Sequence, residues 1–169
     1  MIEKGELRAK IESFTQIIRM RLKLSSPLNM LEVVKSLNID CIAVDNVVYD
    51  AKLWGNEENG YSIRYDKNQI LERQQFSIAH ELGHLLLHKL SKKNSREVYY
   101  RKTGNNSRLE WEANEFAAAL LMPRDEFINF CVNNADTFGN VDLNALAKNF
   151  GVSKQAARVR GSVLKLWTI

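Results

Sequence analysis

Apolar residues recur first at helical and then at strand spacing along the chain. Leu7, Ile11, Phe14, Ile18 and Leu22 fall three or four apart, which predicts an amphipathic helix over 6–22. Ser26 followed by Pro27 reads as a cap and a first helical turn, opening a second helix that runs to about Leu37. The period then shortens. Ile39 to Val44 suits a strand. Residues 49–54 and 61–66 alternate on either side of Gly55-Asn56-Glu57-Glu58-Asn59-Gly60, the pattern of a strand–loop–strand hairpin. A long helix is predicted from about Gln69 to Leu90, with Ile78, Leu82, Leu85 and Leu86 on its buried side. Another carries Glu110 and is punctuated by Pro123, after which Arg124 to Val132 begins a further one. The predicted class is α+β, mainly helical, with a small antiparallel sheet beside the helices.

The chain has 169 residues, 45% of them hydrophobic, enough to bury one sizeable core. One domain over 1–169 is therefore expected, with a main body over 1–139 and a closing segment over 140–169. No run of eighteen apolar residues occurs, so no membrane span is expected. The start, Met1-Ile2-Glu3-Lys4-Gly5-Glu6, is too charged for the apolar stretch of a secretory signal. Cys41 and Cys131 stand alone, which fits a reducing cytoplasm, and Cys41 reads as a buried thiol in a strand.

His80-Glu81-Leu82-Gly83-His84 changes the picture from fold to chemistry. Two histidines four apart on a helix share a face about one turn apart, so both imidazoles can reach one ion. Glu81 sits at the edge of that face, where it can take a proton from the attacking water as general base. Three fixed residues arise by accident in roughly 2 of 100 chains this long, so the surroundings must decide. The competing reading is a pair of satisfied core histidines. His88 extends the ladder, but eight residues of helix rise about 12 Å, too far for His80 and His88 to share an ion. It is placed near the helix end, where a partly charged imidazole suits the dipole, and is not counted as a ligand.

All three histidines lie within residues 80–88, so a third ligand must be a carboxylate or a cysteine. The cysteines show no paired spacing. Glu110 shares a helix face with Asn114, Ala117 and Leu121, and small side chains there would let two helices approach closely. Asn114, one turn on, is a candidate partner for a ligand histidine. Glu112 is the alternative third ligand; by helical spacing Glu112 and Glu115 otherwise read as a solvated face.

The stretch from Arg73 through His88, followed by Glu110-Trp111-Glu112-Ala113-Asn114-Glu115-Phe116-Ala117-Ala118-Ala119-Leu120-Leu121-Met122-Pro123, resembles the ImmA/IrrE metallopeptidases. That family pattern is approximately FTxAHExGHxxLH and then ExxANxFAxxLLMP. Ser77 departs from it where threonine is common. Weaker similarity spans the rest, including an extended segment before the motif helix and a closing FGVS…R stretch. The resemblance implies a zincin-like fold, one zinc ion on His80, His84 and Glu110, and Glu81 as catalytic base. It also implies a regulatory substrate, a DNA-binding repressor of the helix-turn-helix class.

Two segments remain. Residues 89–108 hold seven Lys or Arg against one acid, with Tyr99 and Tyr100 among them. They read as a solvated loop, as a lip of the site offering Tyr99 or Tyr100 to an oxyanion, or as a nucleic-acid contact. Asp142 to Arg160 reads as helix, glycine turn and Ser153-capped helix, the spacing of a helix-turn-helix, with Lys154, Gln155, Arg158 and Arg160 on the second helix. With a net charge of only +4, packing or partner docking is preferred there to DNA reading. The expected function is zinc-dependent hydrolysis of a repressor protein. The rival is a non-catalytic regulatory module that binds DNA or a protein through its basic loop and closing helices.

Overall fold

The first apolar ladder forms α1 (Lys4–Leu22), which buries Ile11 and packs Leu7, Phe14, Ile18 and Leu22 at the margin of the core. The computed structural model describes residues 4–56, 58–90 and 107–167. α2 (Met30–Ser36) begins later than predicted, because its cap is Asn29, whose side chain accepts from the Leu31 N–H. Ser26 is engaged elsewhere: its hydroxyl accepts from Arg19 Nη2 and donates to Glu126 Oε2 at 2.8 Å. The buried side chain of Gln75 accepts from the Met30 N–H, so one of the first N–H groups of α2 is satisfied by the helix beneath it.

The sheet is mixed rather than antiparallel. β1 (Asp40–Val44), β2 (Ala51–Asn56) and β3 (Gly60–Asp66) lie in the order β1-β3-β2, with β2 antiparallel and β1 parallel to β3. The hairpin forms as predicted. Gly55, at φ +106°, has no room for a Cβ, which would collide with the Gly60 carbonyl oxygen. β3 then enters between the other two strands because it carries the most buried side chains, Ile63 and Tyr65. Running back from the hairpin, it takes the direction of β1. The outer edge of β2 is left without a strand partner among the described residues.

α3 (Leu71–Gly83) continues into a π-turn (His84–Lys89), closed by the Leu90 N–H on the Leu85 carbonyl at 3.0 Å. The predicted helix is therefore present, but its last part is wound wider. α3 lies along α4 (Ser107–Leu121), whose buried stripe includes Ala113, Phe116, Ala117 and Leu120. A Cβ on Gly83 would stand 3.0 Å from Phe116 Cδ1, so the glycine lets the two helices meet this closely.

Two buried arginines secure the far end of α4. Arg19 Nη1 donates to the Leu120 carbonyl at 2.8 Å and Arg160 Nε to the Met122 carbonyl at 2.9 Å. These are carbonyls that a helix end leaves without partners. Pro123 ends that segment and α5 (Arg124–Asn134) follows. α6 (Leu143–Phe150), capped by Asp142, turns at Gly151 into α7 (Lys154–Val163), capped by Ser153. Lys154, Gln155 and Arg158 are exposed on α7, but Arg160, expected with them on a cationic face, is 1% exposed. Its Nη2 donates to Glu12 Oε2 at 3.0 Å, while Nη1 lies 2.7 Å from Oε1 at an angle too bent for a hydrogen bond. No helix among the described residues is long and apolar enough to cross a membrane.

Removing Arg160 strands both a carboxylate and a helix-end carbonyl. Arg160→Ala is expected to cost about 3 kcal/mol in denaturant unfolding, whereas Arg158→Ala on the exposed side should stay within about 0.5 kcal/mol. Equal, small losses would contradict the internal role of Arg160.

Candidate metal centre

Three side chains from two helices converge beside the sheet. His80 Nε2 and His84 Nε2 lie 3.0 Å apart, and the Glu110 carboxylate is 3.2 Å from the first and 3.4 Å from the second. One ligand atom from each falls within 4.8 Å of the others, the only such three-residue group among the described residues. The histidines come from the last turn of α3 and the first residue of the π-turn, and Glu110 from the first turn of α4. The close approach at Gly83 brings these turns together.

The orientation of His80 tests whether a cation fits. Asn114 Oδ1 lies 2.9 Å from His80 Nδ1. An amide oxygen only accepts, so Nδ1 carries a proton, and in the neutral ring Nε2 presents a lone pair. That lone pair faces a carboxylate oxygen at 3.2 Å. In that form the two acceptors repel unless a cation or a proton lies between them. The donor set, two imidazoles and a carboxylate, is one that divalent zinc accepts.

Glu81 follows His80 but serves another direction. Its Oε2 accepts from the Leu53 N–H at 2.8 Å, so the carboxylate is aimed at the outer edge of β2. Leu53 stands opposite Ile63 in the β2–β3 register, and its N–H points away from β3 toward that edge. A cavity of about 530 Å³ opens on the other side of Asn114, between Phe76 and Ser77 of α3, Ala118 of α4, and Val159 and Val163 of α7.

The structure brings together His80, His84, Glu110 and Asn114, and it takes Glu112 away from the pair. Glu112 sits across the buried stripe of α4, where its Oε2 is 2.9 Å from His88 Nε2 and its Oε1 accepts from Arg108 Nε at 2.7 Å. Neither Glu112 nor Glu115 forms a solvated face. Glu115 is 8% exposed and accepts two hydrogen bonds from Arg8, at 2.9 and 2.7 Å. His88 lies in the last turn, as expected, but is internal, at 5% exposure, with a carboxylate partner. Tyr99 and Tyr100 lie outside the described residues, as does most of the basic segment. Sequence reasoning missed the Leu53 N–H, the His88–Glu112 contact and the close approach at Gly83. The glycine inside the motif was the available signal for the last of these.

Electrostatics keep His84 neutral and the thiols inert. Burial, and then the proximity of His80, push His84 down from an ordinary 6.5 to about 4, with Glu110 opposing. Burial works to raise the Glu112 carboxyl, but hydrogen bonds from Arg108 and His88 outweigh it and hold it below its ordinary range. Burial pushes the Cys41 thiol up to about 11 and raises Cys131 as well, so neither offers a thiolate at neutral pH. The folded value of His84 lies below its unfolded one. Between pH 6.5 and 4 the unfolded chain therefore takes up this proton first, and metal-free protein loses stability as pH falls through that window. Above it the group contributes no slope. His84→Gln should flatten the decline in unfolding free energy of chelator-treated protein; an unchanged slope would contradict the assignment.

No curated protein matches the chain. Among solved structures it is similar to a Mycobacterium tuberculosis transcriptional regulator, with a TM-score of 0.69 at 18% identity over 93% of this chain. The chain spans 50% of that protein's length, and at this identity the likeness is one of fold. The family model described as the IrrE N-terminal-like domain matches residues 34–162, which takes in the sheet, both site helices and α7. With most of its length matched, the chain belongs to the ImmA/IrrE family of metallopeptidases.

Proposed function

We propose that the protein is a zinc-dependent endopeptidase whose substrate is a helix-turn-helix transcriptional repressor. The observation that carries this reading is the convergence of His80, His84 and Glu110 beside a carboxylate aimed at a sheet edge. His80 and His84 would hold the ion through Nε2, and Glu110 through its carboxylate. When bound, zinc supplies Lewis-acid chemistry, polarising a carbonyl and acidifying water. Asn114 keeps the His80 proton on Nδ1, so that Nε2 stays available.

Glu81 takes a proton from the attacking water and returns it to the leaving amine. Its carboxylate lies where an extended peptide would run if it added to the outer edge of β2. A backbone laid there would meet the N–H and carbonyl groups that β2 does not spend on β3. The repressor substrate follows from the family resemblance, and the fold shared with a transcriptional regulator agrees with a regulatory role.

The test uses purified helix-turn-helix repressors, including any encoded beside this chain, with cleavage followed by mass spectrometry. Glu81→Gln should keep about one zinc per chain yet cut about 10²–10⁴-fold more slowly. Glu110→Ala should lose the zinc, and a chelator should stop cleavage by the wild type. Cleavage by Glu81→Gln at the wild-type rate, or cleavage indifferent to the chelator, would overturn the reading.

A further inference from the structure

His84 is held differently from His80. Its Nδ1 lies 3.1 Å from His88 Nδ1, and His88 Nε2 lies 2.9 Å from Glu112 Oε2. A carboxylate only accepts, so His88 donates from Nε2, and in its neutral form the ring keeps a lone pair on Nδ1. His84 Nδ1 must then be the donor between the two rings. That leaves Nε2 as the lone-pair atom of His84, turned toward His80 and Glu110. One fixed acceptor thus sets the proton positions on two successive rings.

The backbone and the neighbours favour this arrangement. In an α-helix a residue four positions on overshoots a full turn by about 40°. The wider winding of the π-turn takes fewer degrees per residue, removes that overshoot and brings the His88 ring to 5.2 Å from that of His84, centre to centre. Such π segments recur at functional sites. Arg108 holds the second oxygen of Glu112, so the acceptor at the end of the chain cannot rotate freely. The side chains of His88 and Glu112 are 5% and 12% exposed, which limits competition from water.

We propose that Glu112 and His88 are positioning residues that fix the tautomer of His84 and present its Nε2 to the metal. The proposal rests on reading His80, His84 and Glu110 as ligands; neither Glu112 nor His88 touches the ion. A pair that served packing alone would affect stability without deciding where the His84 proton resides.

Nitrogen NMR of isotope-labelled histidines, on the full chain stripped of metal at neutral pH, reads that proton directly. His84 should be protonated on Nδ1 in the wild type. His88→Leu should move the proton to Nε2 or mix the two forms, and weaken zinc binding about 10–100-fold in a chelator competition. His88→Gln, whose amide oxygen can accept from Nδ1, should restore both. Glu112→Leu should act in the same direction as His88→Leu. A wild-type His84 protonated on Nε2 would overturn the proposal with no variant needed, as would a folded His88→Leu that keeps both tautomer and affinity. A wild type protonated on Nδ1 that binds no zinc would support the relay while refuting the metal reading.

Discussion

Three acceptor groups do not gather on their own, and the approach of α3 to α4 forces them together. The helices meet closely where Gly83 faces Phe116, whose ring would have to shift to admit even a Cβ there. On that contact depend the 3.0–3.4 Å spacings among His80, His84 and Glu110. The rest of the fold holds the approach in place. Arg19 and Arg160 reach from α1 and α7 to the carbonyls at the far end of α4, and Arg8 clamps Glu115 in its middle. Buried Arg19 and Arg160 would be costly unpaired, and Glu126 and Glu12 pair them, while all three arginines tie distant parts of the chain to α4 or its end.

α4 does more than supply a carboxylate. Asn114 stands one turn after Glu110 and meets the remote nitrogen of His80; Glu112, on the opposite flank of the buried stripe, meets His88 behind His84. Both site histidines are therefore oriented from one helix, by an amide on one side and by a relay through a third ring on the other. Glu81 accepts from the Leu53 N–H of β2. In the proposed function this separates the base from the ligands although they adjoin in sequence, so that one can hold a proton while the others do not.

Much of this was legible in the residues. The His80–His84 spacing, the small-residue face with Glu110 and Asn114, and the hairpin around Gly55 to Gly60 are local patterns, and local patterns survive folding. The parts that were not legible are decided by tertiary contacts. Nothing in the period of residues 84–89 distinguishes a π-turn from an α-helix, or shows that His88, at the helix end, is buried against Glu112. Glu112, Glu115 and Arg160 look like surface charges until their partners, far away in sequence, are known. Ser26-Pro27 resembles a helix start, yet its hydroxyl is spent on Glu126 and Asn29 takes the cap. The parallel pairing of β1 with β3 follows from which strand is most buried, a comparison that alternation within one strand cannot make.

The most direct test is a crystal structure of zinc-loaded protein with anomalous data at the zinc edge. The account predicts one strong peak bonded to His80 Nε2, His84 Nε2 and a Glu110 oxygen at roughly 2.0–2.2 Å each, with His88 and Glu112 outside the coordination sphere. A peak bonded to His88, Glu112 or a cysteine, or none near His80, would contradict it.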